Sequence, residues 1–212
     1  FARPCVFLLR SVTLRFDELS LNPRLLQAIN HLGFIEATEI QQRAIPQILS
    51  SHDLAASSKT GSGKTLAFLL PMVQRLMTSK VLSKRGPRAL VLAPTRELAM
   101  QVAEELNHLA QFTNIQALPI YGGQDMERQL RRLRKCPQII VATPGRLIDH
   151  MKRGTIDLSH ITTIVLDEAD EMLDMGFIDD INLIMAATPN TRQTLLFSAT
   201  MPKPIQQLAE TF

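Results

Sequence analysis

A three-layer α/β fold, with helices on both sides of a mostly parallel sheet, is what this sequence predicts. Three observations predict it. Short apolar runs of strand length recur at 54–56, 89–93, 115–121, 138–142, 162–166 and 193–197. Between them lie stretches of helical period, such as Leu98, Val102, Leu106 and Leu109, or Leu147, Ile148 and Met151. Strands alternating with helices read as βαβ units, whose strands run parallel because each crossover returns the chain to the same end of the sheet. Finally, several runs close on small or polar residues: Ser57, Pro94, Thr143, Asp167 and Ser198. An open parallel sheet takes its ligands outside the carboxyl ends of its strands, so these residues fall on one rim.

The bulk numbers bound the rest. A length of 212 residues, with 45% hydrophobic and 20% charged residues, suits one large soluble domain. The two cysteines, Cys5 and Cys136, lack metal or redox spacing and fit a reducing compartment, a cytoplasmic setting or, in a eukaryote, a nuclear one. The five histidines form no zinc pattern. The net charge of +3 permits a polyanionic partner without requiring one. No apolar run approaches the roughly 18 residues of a membrane span, so no membrane partner is expected.

Taken in order, residues 1–13 stand apart as an uncertain segment, since the chain begins with Phe1 and reads as a fragment or processed product. Residues 14–50 read as helical, with Asn22-Pro23 as a start and Gly33 as a stop. Residues 51–212 carry the strand and helix alternation. The stretch 79–88, with Lys80, Lys84, Arg85, Gly86 and Pro87, reads as a surface loop.

The first strand runs into Ser58-Lys59-Thr60-Gly61-Ser62-Gly63-Lys64-Thr65, then a helix over 66–77 in which Pro71 is expected to make a kink. A strand, a glycine loop and a helix are the context of a P-loop. Gly61 and Gly63 let successive N–H groups turn inward onto phosphate oxygens, and the helix start adds its positive end. Lys64 supplies a point charge for the β- and γ-phosphates, and Thr65 a hydroxyl for Mg2+. The general pattern G-x-x-x-x-G-K-[ST] would put glycine where this chain has Ser58. A P-loop also needs a carboxylate at a neighbouring strand end. The run 163–166 ends in Asp167-Glu168-Ala169-Asp170. Asp167 is placed to hold magnesium through water, and Glu168 to orient or deprotonate an attacking water. The bland reading is an acidic helix start, where Asp and Glu are favoured anyway.

Asp167-Glu168-Ala169-Asp170 behind this loop resembles the DEAD-box ATP-dependent RNA helicases, and other signatures of that family follow in order. Pro94-Thr95-Arg96-Glu97-Leu98-Ala99 follows the second strand, Gly122-Gly123 the third, and Thr143-Pro144-Gly145-Arg146 the fourth; Ser198-Ala199-Thr200 closes the last. Upstream, Gly33-Phe34, Ala37-Thr38 and Ile40-Gln41 are similar to the family's Q motif, and Phe16 lies 17 positions before Gly33, where the family has an isolated aromatic. The resemblance spans residues 14–212. The family's own loop has no glycine at the Ser58 position, which removes that anomaly; Ala37 stands where the family usually has proline.

The resemblance implies a RecA-like P-loop NTPase domain, α/β/α in three layers, with ATP and Mg2+ as cofactors and RNA as partner. ATP would be held by Phe16, Thr38, Gln41, Ser58, Lys59, Thr60, Gly61, Ser62, Gly63, Lys64 and Thr65, with Lys64, Thr65, Asp167 and Glu168 catalytic. The amide of Gln41 can pair with adenine N6 and N7 together, and Phe16 can stack on the base. RNA would lie on Pro94, Thr95, Arg96, Gly122, Gly123, Thr143, Pro144, Gly145 and Arg146, through backbone rather than base edges. Asp170, Ser198 and Thr200 would couple ATP state to RNA. Full activity is expected to need a second RecA-like domain, whose motifs this chain lacks; the fragment alone, a monomer, is expected to turn over ATP poorly. Two rivals stand beside this. A nucleotide kinase or small GTPase would lack an adenine reader such as Gln41. An RNA-bound clamp that recruits partners would use the same residues. The basic run Arg128, Arg131, Arg132, Arg134 and Lys135 reads first as a solvated face.

Overall fold

In the computed structural model of the chain, residues 14–79 and 86–211 are described. The segment 1–13, most of the expected loop at 79–88, and Phe212 lie outside them. Six strands form one sheet: β1 (Leu54–Ser57), β2 (Ala89–Leu92), β3 (Ala117–Ile120), β4 (Ile139–Ala142), β5 (Thr163–Asp167) and β6 (Gln193–Ser198), in the order β1-β6-β5-β2-β4-β3. Every pairing is parallel.

The four inner strands, β2, β4, β5 and β6, are buried on both faces, which is why they read as continuous apolar runs rather than alternating ones. Alternation is still present, between two cores. Ala89 and Val91, Ile139 and Val141, and Val165 face one layer; Leu90 and Leu92, Ile140 and Ala142, and Ile164 and Leu166 face the other. The first layer holds α1 (Pro23–His31), α2 (Glu39–Leu49), α3 (Lys64–Thr78) and α4 (Arg96–Leu109). The second is built from α6 (Pro144–Lys152), α7 (Ala169–Asp174), α8 (Ile178–Ala186) and α9 (Lys203–Ala209). Helix α5 (Met126–Leu133) connects the outermost strand β3 to β4 and leans on the second core through Leu133. No described helix is long and apolar enough to cross a membrane.

Local chemistry sets the helix ends. Asn22 caps α1 by accepting from Arg24 N–H at 3.0 Å, and Pro23 sits where no donor is needed. Gly33 follows α1 with φ +77°, a conformation that costs glycine little. Thr38 and Gln41 form a capping box at the start of α2. Helix α3 starts two residues earlier than its apolar run, at Lys64, and continues through Pro71 to Thr78. Helices α1 and α2 bury Leu25, Ile29, Ile45 and Ile48 in the same core as α3.

Candidate functional site

The carboxyl ends of β1 and β5 bring Lys64 and the acidic run together. Gly61 and Gly63 hold φ of +78° and +88°, so the loop curls without strain, and Gly63 is the N-cap of α3. A side chain at Gly63 would be strained by that φ and would meet the Gln41 amide nitrogen at 2.6 Å, displacing it from its bond to Gly63 O. Lys64 is 6% exposed; its Nζ lies 3.2 Å from Glu168 Oε1 and 3.7 Å from Asp167 Oδ1. The first is a hydrogen bond, while the second is too long for one. Both carboxylate oxygens of Asp167 are therefore buried without a hydrogen-bond partner. Burial pushes the Asp167 carboxyl up to about 6, against the opposing pull of Lys64. An orphaned buried carboxylate facing a phosphate loop is a place for a cation with its water shell. Thr65 follows Lys64 on α3 and lines the same cavity as Asp167, so its hydroxyl could join the carboxylate in holding such a cation. Glu168 has φ +54°, a backbone strain in a non-glycine residue that the tight exit from β5 imposes.

One wall of the site is built by the segment before the sheet. A cavity of about 520 Å³ is lined by Thr60, Gly61, Gly63, Lys64, Thr65, Asp167 and Glu168 at its polar end. Gln41, Leu32 and Phe34 wall it from the Q segment, and Leu98 and Gln101 from α4. Gln41 is buried; its Oε1 accepts from Thr38 N–H at 2.9 Å and its Nε2 donates to Gly63 O at 3.0 Å. Each amide atom keeps one further bonding position, so a purine edge could be added without breaking the existing bonds.

One expectation is corrected here. Phe16 was assigned to stack on adenine, but it is 1% exposed and belongs to the core under α1 and α3, so its ring offers no open face. Phe34 is 43% exposed and lines the cavity. Sequence reasoning took the isolated aromatic and passed over the one inside the Q segment; an aromatic next to a helix-ending glycine was the available signal.

The last strand ties the loop to the acidic run. Ser58 N–H donates to Ser198 O at 2.9 Å, and the Ser58 and Ser62 hydroxyls are hydrogen-bonded to each other. Ser198 Oγ accepts from Asp170 N–H at 3.0 Å. Thr200 donates to Asp170 Oδ2 from its N–H at 2.8 Å and from its hydroxyl at 2.9 Å. Burial works to raise the Asp170 carboxyl, yet these bonds outweigh it and hold it below the usual range. Asp170, Ser198 and Thr200, predicted to act together, are in contact.

The other half of the rim collects the remaining predicted residues. Thr95 caps α4 by accepting from Leu98 N–H at 3.2 Å. Arg96 is exposed, paired with Glu97 at 2.9 Å, and its Nη1 lies 3.9 Å from where a side chain on Gly123 would begin. Thr143 N–H donates to Ile120 O at 3.0 Å, which fastens the start of α6 to β3. Pro94 and Pro144 are buried at their strand exits; Gly145 is open. Arg146 is already engaged within the chain. Its guanidinium donates to Gln124 O at 2.9 Å and to Gln129 Oε1 at 3.4 Å, with Asp149 at 3.7 Å. Its Nη1 thereby helps to hold the loop after Gly122-Gly123, where the Gln124 carbonyl needs a donor. Gln129 went unnoticed in the sequence because it lies inside the basic run. It is 1% exposed, donates to Tyr121 O at 2.9 Å, and accepts from His150 Nε2 at 2.9 Å. Burial holds the His150 imidazole below its usual range, hence neutral.

The fold and the site together define a RecA-like P-loop domain. A family model described as DEAD/DEAH box helicase matches residues 38–208, and the chain belongs to that family. Among curated relatives, the DEAD-box ATP-dependent RNA helicase CshA of Geobacillus kaustophilus (strain HTA426) is 52% identical over 197 residues, 93% of this chain and 41% of that protein. The protein of the same name from Bacillus subtilis (strain 168) is 52% identical over 203 residues, 95% of this chain and 40% of its own length. A solved DEAD box protein from the hyperthermophile Methanococcus jannaschii superposes with a TM-score of 0.86 at 42% identity, covering 93% of this chain and 53% of that one. This chain thus spans about two fifths of the curated relatives' length.

Proposed function

We propose that this chain is the ATP-binding half of an ATP-dependent RNA helicase, with residues 14–50 as its adenine-reading segment and 51–212 as the RecA-like domain. The observation that carries the reading is the cluster of buried Lys64 and Asp167 with half-buried Glu168 at one end of a cavity whose other wall is Gln41. A triphosphate entering there gives Lys64 a new partner in its β- and γ-phosphates, which releases Glu168 to take the proton of an attacking water. Asp167 and the Thr65 hydroxyl fit a hydrated magnesium ion, which when bound neutralises charge on the phosphate oxygens. Gln41 selects adenine by its paired donor and acceptor, and Phe34 supplies an aromatic face. Peptide N–H groups around Thr95, Gly123 and Gly145, with the Arg96 guanidinium, suit the RNA sugar-phosphate backbone and not the bases. The Asp170, Ser198 and Thr200 bonds tie the phosphate loop to the acidic run. Turnover needs a second RecA-like domain to supply arginines to the transition state. The activity that the CshA relatives are named for and their greater length support that reading.

Titration of the chain with magnesium-ATP and magnesium-GTP tests it. ATP binding in preference to GTP, with the preference lost on Gln41→Ala, is expected; equal affinity for the two, or none for either, overturns it. RNA-stimulated hydrolysis by the intact protein, absent from this chain alone, is the companion result.

A further inference from the structure

The charge of this chain is concentrated. Residues 125–136 hold five of its 23 basic and two of its 20 acidic residues, which leaves 18 of each sign in the rest. The whole formal excess of +3 therefore sits on α5 and the turn that ends it. Arg128, Arg131, Arg132, Arg134 and Lys135 are all exposed. Among the described residues none of them has a carboxylate within ion-pair distance, whereas Arg15, Arg43, Arg96 and Arg146 each have one.

Stability does not account for this. Arg128 with Arg132, and Arg131 with Lys135, are like charges four residues apart, a spacing that weakens a helix. The negative end of the helix favours cations only in its last turn, and Arg128 is in the first half. The inward face is fixed instead. Gln129 bonds Tyr121 O, His150 and Arg146, and Arg146 also holds Gln124. Helix α5 is thereby fastened to the same loop that forms the Gly122-Gly123 part of the rim. It follows the outermost strand, so it runs from that rim down the edge of the sheet.

We infer that the basic face of α5 is an outer RNA contact, which takes the phosphates of the strand as it leaves the rim; this rests on the reading of the rim as an RNA site. The stripe starts where the rim ends and spans roughly 12 Å, enough for a few phosphates. An RNA is favoured over an acidic protein because none of the exposed large apolar residues, Phe34, Ile35, Met100, Met175 and Leu183, lies on α5 to anchor a protein interface.

The test uses the intact protein with two single-stranded RNAs, one of about six nucleotides that covers only the rim and one of about twenty that extends beyond it, a contrast meaningful because affinity follows the number of phosphates met. The variant combines Arg128→Gln, Arg131→Gln, Arg132→Gln and Lys135→Gln; a second carries Arg128→Lys, Arg131→Lys and Arg132→Lys. The glutamine variant is expected to bind the long RNA about tenfold more weakly, with a salt slope shallower by about 2, while the short RNA changes less than twofold. The lysine variant keeps wild-type binding to both, since phosphate contact needs charge and not the guanidinium fork. Unchanged long-RNA affinity and slope would overturn the inference and leave α5 as a solvated face or a protein dock. Equal loss on both RNAs at an unchanged melting temperature would also overturn it, because α5 would then be part of the rim. Wild-type protein that binds neither RNA would instead overturn the reading of the rim, and this one with it.

Discussion

The two halves of the carboxyl rim are built on opposite physical plans. At the phosphate half, Lys64 and Asp167 are buried, with 6% and 0% exposure, and the ionised groups face one another. At the half proposed for RNA, Arg96 and Gly123 are open to solvent, and Arg146, half-buried, bonds the loop after Gly122-Gly123. The first half is an electrostatic device. Charges held out of water interact strongly, and Lys64 is kept in place by the groups that a triphosphate would displace it from. The second half is a shape, made of turns and helix starts that present peptide N–H groups, with charge added at the surface where salt screens it. A substitution in the first half should therefore act on chemistry or stability in large steps, and one in the second should act on affinity in small ones.

The sharpest break of that contrast is Glu168→Gln. If Glu168 takes a proton from water, its amide should slow ATP turnover by the intact protein about 10²–10⁴-fold, with RNA affinity unchanged. A steady-state ATPase assay beside RNA binding checks both parts.

Next comes Asp167→Asn, which should abolish turnover yet stabilise the ligand-free fold. Asp167 holds its proton to about pH 6 in the folded chain and to 3.8 in the unfolded one. Between those values the folded state binds more protons, so this residue's contribution falls as pH rises from about 4 to 6 and is flat above. Wild type should thus trail Asp167→Asn by up to about 3 kcal/mol at pH 7 and draw level near pH 4. Urea unfolding at the two pH values measures it; a variant that is less stable at pH 7 would show that Lys64 more than offsets the burial.

Gln41→Ala should lower the preference for ATP over GTP about tenfold, the worth of one bidentate base contact. Smallest is Arg96→Ala, expected to weaken RNA binding about two- to fivefold and equally for every RNA sequence, since the contact is to backbone. Unequal losses across sequences would mean that Arg96 reads bases.

Much of this was legible in the chain. Strand positions could be read because both faces of the sheet are buried, which leaves runs such as Ile139-Ile140-Val141 with no polar residue in them. The start of α1 followed from Asn22-Pro23, and the loop at 58–65 from glycines whose positive φ few other residues tolerate. Asp167 and Glu168 were legible as a pair because an apolar strand ended on them. The burial of Phe16 and the bonds already made by Arg146 were out of reach for one reason: residue type says what a side chain can do, whereas its surroundings decide what it is already engaged in. Gln129 was hidden because a polar residue among charges looks solvated.

The sequence by itself determined the alternation of strand and helix, the rim, the phosphate loop and its acidic partner, since these follow from local periodicity and from backbone conformations written in single residues. Tertiary structure alone decided that Asp167 has no hydrogen-bond partner, that Lys64 rests on Glu168, that Gln41 bridges to Gly63, and that Phe34 rather than Phe16 opens into the cavity. Each of those depends on segments distant in sequence meeting at one end of the sheet. Desolvation and hydrogen-bond partners are properties of that meeting, not of any residue on its own.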